Sequence, residues 1–445
     1  MWLIVLLLVS VLLIVVSTSR YRFHPFLALL FVAIFFGLLS GMPLDSIVAS
    51  INEGFGNTIG QIGIVIIAGV IIGTFLEQSG GAYAMANRVL KITGKKQVPL
   101  TMSIIGYFVS IPVFADSGFV ILLPLTKALS KEAKISLAGS ASALALGLAV
   151  THNLVPPTPG PIAAAGILEA NLGLVIMLGI ITSIPVLIAG WLFASKIASK
   201  VYIDPNPDIT PKEIEQTLKT APSAFKSFVP ILLPILLIVM KSISDFPTAP
   251  FGDGLVKEVI GFIGEPVIAL MIGILIAFTL PRKLERDMLS SAGWVGKALQ
   301  NAAIIILITG AGGAFGMVLR NSGIATVLGD SLAGMSIGIF LPFIIASAIK
   351  SAQGSSTVAL ITTASLLAPM MASLGFDTNI ARALVVLSIG AGSLVASHAN
   401  DSMFWIFTQM TGMKVRTGFK IQTLGTAILG VTAVLIIWVI SLVML

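Results

Sequence analysis

The sequence predicts an all-α polytopic membrane protein, an inverted repeat of about ten transmembrane spans with two re-entrant hairpins and two broken helices. Three observations predict it. Of 445 residues, 56% are hydrophobic and only 10% charged, against roughly 25% charged in an average soluble domain. The apolar residues gather in stretches of roughly 20 between short charged clusters, the length that crosses a bilayer as helix. Two such stretches are interrupted by polar and helix-breaking residues, as in carriers whose discontinuous helices meet a solute at the midplane.

The first span, 2–19, has no Lys or Arg before it and Arg20 and Arg22 after it. A retained span with its N-terminus outside fits this better than a cleaved signal. A second span, 24–41, leads to a loop, 43–58, that holds Asp45 and Glu53 but no basic residue and is expected outside. Span 60–76 returns to Arg88, Lys91, Lys95 and Lys96, which mark the inside. The stretch 98–126 is too short for two crossings, which need roughly 40 residues, yet it ends at Lys127, Lys131 and Lys134. It reads as a re-entrant hairpin from the cytoplasmic side with Asp116 near its tip, where irregular backbone must be surrounded by protein or a watery cavity.

A broken span, 135–170, follows, interrupted at 151–161 by four prolines and a glycine; each proline removes a donor and clashes with the preceding turn. Span 172–194 closes the first repeat, 1–203. Residues 204–226 form a cytosolic linker, and Thr210-Pro211-Lys212-Glu213 has the spacing of a helix start. The second repeat, 227–445, has spans at 228–243, 259–280 and 299–319. An outer-side hairpin, 336–373, folds around Lys350-Ser351-Ala352-Gln353-Gly354-Ser355-Ser356-Thr357. A broken span, 380–411, is interrupted at Ser397-His398-Ala399-Asn400-Asp401-Ser402, and the last span, 421–443, ends outside. Of the 26 Lys and Arg, all but Lys241, Lys257, Arg320, Arg382 and Lys350 then fall inside.

The halves echo one another. Glu77-Gln78-Ser79-Gly80 resembles Arg320-Asn321-Ser322-Gly323, and His152-Asn153 and His398-Ala399-Asn400 occupy equivalent breaks. An odd number of crossings per half sets the halves in opposite orientation, which places a substrate site where hairpin tips and broken helices meet.

The formal charge of +7 does not indicate nucleic acid, because the basic residues flank apolar stretches as the positive-inside rule requires. The absence of cysteine excludes disulfides, thiolate catalysis and sulfur-ligated metal. Three histidines in no zinc-like spacing predict no metal, and nothing calls for a cofactor. No His-Glu-x-x-His, paired aspartate or phosphate loop occurs, so an intramembrane enzyme ranks below transport, as does a channel.

Asp116 is the leading candidate, since an ionisable residue at membrane depth is costly and marks function by default. It can carry a coupling proton, bind a coupling cation or cap the helix that follows. His152 and His398, at the two breaks, are candidates for solute hydrogen bonding or proton relay, against structural bonding to freed carbonyls. Asn153, Thr158, Gln353, Asn400, Ser355, Ser356 and Thr357 can bond solute hydroxyls, and helix starts near Ser117, Gly118, Gly354 and Ser355 can hold a carboxylate through free amides. Small hydroxyl residues also pack membrane helices. Asp401 is a second proton-coupling candidate or a cap. Lys350 either faces the anion as a counter-charge or snorkels to water.

At Ile111-Pro112-Val113-Phe114-Ala115-Asp116-Ser117-Gly118-Phe119-Val120-Ile121-Leu122-Leu123-Pro124 the sequence resembles the gluconate permease family. His152 with Val155-Pro156-Pro157-Thr158-Pro159-Gly160-Pro161, Gly310-Ala311-Gly312-Gly313-Ala314-Phe315, Asp401-Ser402-Met403-Phe404-Trp405 and the early run Phe23-His24-Pro25-Phe26-Leu27-Ala28-Leu29 match as well. Many relatives carry Glu-Val where this chain has Asp116-Ser117, a shorter carboxylate arm. The resemblance implies proton-coupled uptake of gluconate or a related small hydroxy acid through the bacterial inner membrane, by a homodimeric elevator carrier of the ion transporter superfamily. It leaves open a sodium-coupled carboxylate carrier or one for D-serine.

Overall fold

The computed structural model describes residues 2–94, 97–206, 219–245, 250–252, 254–324, 327 and 338–445, and every regular element among them is helical. The first half holds α1 (Trp2–Ser19), α2 (Pro25–Leu39), α3 (Leu44–Gln78), α4 (Gly81–Thr93), α5 (Val98–Val109), α6 (Ala115–Glu132), α7 (Leu137–Leu154), α8 (Pro159–Ile167) and α9 (Leu172–Lys196). The second holds α10 (Ala224–Ser244), α11 (Leu255–Ile263), α12 (Pro266–Ala277), α13 (Trp294–Asn321), α14 (Phe340–Gln353), α15 (Ser356–Leu367), α16 (Asn379–Leu394) and α17 (Ser402–Thr411). A short helix, Val415–Gly418, and a π-helical turn, Phe419–Thr423, run into α18 (Leu424–Met444). Lys95, Lys96, residues 210–213 of the linker and the opening residues of the 336–373 hairpin lie outside the described residues.

Among the described residues, six helical stretches are long and apolar enough to cross a membrane, seven if the pair α11 and α12, bent by 65°, is one span. The other expected spans, α1, α2 and α16, are apolar but shorter. Local chemistry sets the boundaries. Proline opens α2, α8 and α12 at a position where its missing N–H is not needed. Side-chain oxygens of Ser136, Asn171, Ser223 and Thr378 accept from the first free amides of α7, α9, α10 and α16.

One expectation is corrected. The segment 43–58 is the first half of α3, a single helix of 35 residues. Its glycine, serine and asparagine content reads as loop, but Ile47, Ser50, Gly54 and Thr58 recur at helical spacing and are buried. The small residues admit α13 at close range. A Cβ added at Gly54 would lie 2.4 Å from the Gly313 carbonyl, and one at Gly313 would lie 2.0 Å from Thr58 Oγ1. Such crossings hold membrane helices together by packing, where lipid removes the hydrophobic drive between them.

Around this pair the molecule is layered. α7 and α16 are buried on nearly all sides, as a helix without a polar face must be when other helices enclose it. α9, α10 and α18 instead present large apolar residues outward, among them Ile181, Ile184, Leu236, Val431 and Val439, a face suited to lipid. α1 and α2 pack as an antiparallel pair, with Trp2 Nε1 donating to the Leu39 carbonyl at 2.9 Å. Just past α8, Glu169 pairs with Arg382 at 3.2 Å and reaches Arg320 at 4.0 Å.

Candidate functional site

The turn between α5 and α6 carries Pro112, which has no N–H to continue the helix, and it rests on α3. A Cβ at Gly73 would lie 2.0 Å from the Pro112 carbonyl, and one at Gly69 would lie 3.0 Å from the carbonyl of Pro157 in the break between α7 and α8. Bare backbone on α3 thus seats both irregular segments of the first half. α6 starts just beyond, with Asp116 in its first turn. Its Oδ2 accepts a hydrogen bond from Ser402 Oγ at 2.7 Å, at the first turn of α17. Among the described residues no cation lies within ion-pair distance of Asp116.

The two breaks meet. Asn153 at the end of α7 donates to the Ala149 carbonyl at 2.8 Å and accepts from Ser393 Oγ of α16 at 2.9 Å. His152 faces the Phe114 ring at a centroid distance of 6.2 Å, and its buried Nδ1 has no partner among the described residues. In the second half, Gly354 turns the chain between α14 and α15 at φ +92°, and a Cβ there would fall 2.1 Å from the Asn400 carbonyl. Ser355 caps α15 by accepting from Val358 N, Gln353 Nε2 donates to the Ser355 carbonyl at 2.6 Å, and Ser356 Oγ donates to the Ser393 carbonyl at 3.1 Å. His398 Nε2 and Asn400 Nδ2 both donate to the Ser351 carbonyl, at 2.9 and 2.8 Å.

Lys350 does not snorkel. It is 2% exposed, and its ammonium donates to Asp401 Oδ2 at 2.7 Å and to the Gly354 carbonyl. Asp401 also accepts from Ser397 Oγ at 2.5 Å and, through Oδ1, from Met403 N at 3.1 Å. It is both the ion-pair partner of Lys350 and the N-cap of α17.

These tips and breaks line an open cavity of about 560 Å³. Of the residues singled out in the sequence, Asp116, Ser117, His152, Asn153, Lys350 and Asp401 line it, as do Asn400 and the hairpin run from Gln353 to Thr357. Gly118, Thr158 and His398 are not in its wall. Gly118 packs on Leu148, Thr158 Oγ1 donates to the Val155 carbonyl at 2.8 Å, and His398 is turned to Ser351. The wall also includes Asn301 of α13, and Gln422 and Thr426 at the start of the last helix. Gln422 lies in the π-helical turn with its Oε1 buried and without a partner among the described residues. The signal for it in the sequence is a polar pair, Gln422-Thr423, at the head of an apolar run, and π-helical turns cluster at functional sites. No group of three metal-ligating side chains occurs among the described residues.

Chemically, the cavity offers free amides at helix starts, an unpartnered imidazole nitrogen, several amide and hydroxyl groups, and one carboxylate held only by a hydroxyl. That set suits a small hydroxylated anion accompanied by a proton or cation.

A family model described as GntP family permease matches residues 2–443. An uncharacterized permease of Haemophilus influenzae is 39% identical over 92% of this chain and 85% of its own length. A gluconate permease of Pseudomonas aeruginosa is 34% identical over 98% of this chain and 97% of its own. Among solved structures, MtrF of Neisseria gonorrhoeae, from a class of antimetabolite efflux pumps, superposes with a TM-score of 0.69 at 13% identity, covering 95% of this chain and 96% of that one. At that identity the likeness speaks for the fold alone.

Proposed function

Since the chain belongs to the GntP permease family and is a transporter rather than an enzyme, we propose that it imports gluconate or a related small sugar or hydroxy acid across the bacterial inner membrane by proton symport. The observation that carries this reading is Asp116. It is a carboxylate in the wall of a cavity of about 560 Å³, bonded to Ser402 and free of a cationic partner among the described residues. A carboxylate so placed can take up a proton on one side of the membrane and release it on the other.

The cavity's size falls within the range of small-molecule sites. The helix starts at Ser117 and Ser355 suit the solute carboxylate, and His152, Asn153, Gln353, Asn400, Ser356 and Thr357 suit its hydroxyls. In this reading the chain is an inverted repeat. α3 and α13 stand fixed, the helix pairs α5–α6 and α14–α15 are re-entrant hairpins, and with the broken spans α7–α8 and α16–α17 they carry the site across the bilayer. Termini on the outer face and assembly as a homodimer belong to the same proposal, the dimer resting on family resemblance.

The test is labelled gluconate uptake into proteoliposomes under an imposed proton gradient, with and without sodium. Wild-type protein should accumulate solute without sodium. Asp116→Asn should lose accumulation yet retain exchange of labelled for unlabelled solute. Unchanged accumulation in the variant would reduce Asp116 to a helix cap, and uptake that requires sodium would replace the proton in the scheme.

A further inference from the structure

The ammonium of Lys350 sits among ligands of the kind that hold free alkali cations in other broken-helix carriers. One ligand is the Gly354 carbonyl at the C-terminal end of α14, the other the Asp401 carboxylate that caps the start of α17. Carbonyls at half-helix C-termini and nearby carboxylates are the groups with which discontinuous helices coordinate sodium. The two helix ends reinforce the arrangement, since a helix C-terminus favours positive charge and an N-terminus negative charge. Ser397 Oγ and Met403 N occupy further positions on the Asp401 carboxylate, so little of it remains to bind anything else.

We propose that Lys350 is a tethered counter-cation. It fills, by a covalently attached ammonium, a cation site between the second hairpin tip and the second break, and so ties those segments together without a dissociable ion. Of the described ionisable groups in the cavity wall, Asp401 and Lys350 cancel and His152 in its neutral form adds nothing, which leaves Asp116 as the one uncompensated charge among them. The ligand that the site would take in place of lysine is a small cation with ammonium-like or alkali-metal chemistry. The inference builds on the carrier reading above, but its ligand geometry is independent of which solute is carried.

The test removes the tether and supplies the cation free. Lys350→Ala leaves the carboxylate and carbonyl facing a gap as long as the lost side chain, which n-propylammonium or sodium can enter and choline, lacking an N–H and too bulky, cannot. In choline medium the unfolding temperature of the purified variant should fall. Added n-propylammonium or sodium should raise it in a saturable way, with no such response in wild type. Uptake by Lys350→Ala in choline should drop by at least about tenfold, as expected when one partner of a buried pair is removed, and n-propylammonium should restore it in part.

Lys350→Met/Asp401→Asn removes both charges, should fold better than the single variant and should show no cation response. The proposal is overturned if Lys350→Ala transports like wild type in choline, if neither its stability nor its uptake responds to added cation, or if the double variant responds equally. Should wild type transport no sugar acid, the functional reading fails while the unfolding measurement still decides the cation site.

Discussion

Asp116 and Asp401 are both carboxylates at helix starts in one cavity, and their neighbours set them apart. Asp401 has an ammonium, a hydroxyl and an amide; Asp116 has the Ser402 hydroxyl. A hydrogen bond to a charged group contributes on the order of 1.5–3 kcal/mol. Ser402→Ala should therefore slow proton-driven uptake by roughly tenfold or more, while Ser402→Thr, which keeps the hydroxyl, should stay near wild type; initial rates in proteoliposomes decide it. Gly354→Ala forces a side chain into left-handed backbone and against the Asn400 carbonyl. It should lower stability by about 1–3 kcal/mol, read as a drop in the unfolding temperature of purified protein. At this scale the sequence was informative where a polar residue interrupts apolar surroundings, as at Asp116, His152 and the Gln353–Thr357 run. It was silent on the Lys350–Asp401 pair, whose members lie on separate elements, and on Asn301, which stands near a span end where polar residues are ordinary.

Among the elements, α3 is one that pattern reading misjudged, and the reason is physical. The glycines and small polar residues that suggest a loop in water are what a membrane helix needs where another backbone comes close, as at Gly54 and Thr58 against Gly313. The breaks after α7 and α16 were legible because proline and clustered polar residues cannot continue a helix in lipid without compensation. The contact of α3 with the first break supplies a test of motion. A Cβ at Gly69 would lie 3.7 Å from Pro157 Cβ, within the span of a disulfide, and the chain has no native cysteine to interfere. If α7 and α8 move past α3, oxidised Gly69→Cys/Pro157→Cys should stop uptake and a reductant should restore it. Full activity in the verified cross-linked state would remove relative motion of these elements from the cycle.

For the molecule as a whole, the charge in the cavity dictates what the membrane potential can do. The described residues of the wall carry one net negative charge when Asp116 is ionised, from two carboxylates and one ammonium. A proton on Asp116 together with a monoanionic solute leaves that net charge unchanged. Empty and loaded carriers then move the same charge through the field, and one cycle moves none overall. Uptake should accordingly follow an imposed pH gradient and ignore a potassium diffusion potential at constant pH. A clear rise in accumulation with interior-negative potential would require more than one cation per solute. This balance depends on groups from both halves, Asp116 in the first and Lys350 and Asp401 in the second, whose pairing sequence spacing does not reveal.

The bond between Ser402 and Asp116 joins residues 286 positions apart, and that separation bears on biogenesis. Asp116 enters the membrane early in synthesis and meets its hydroxyl only after α17 has been made. A chain stopped before that point carries a lone carboxylate without its hydroxyl partner or the far wall of its cavity. The candidate site is thus completed late in translation, and an unfinished protein holds only half of the cavity wall.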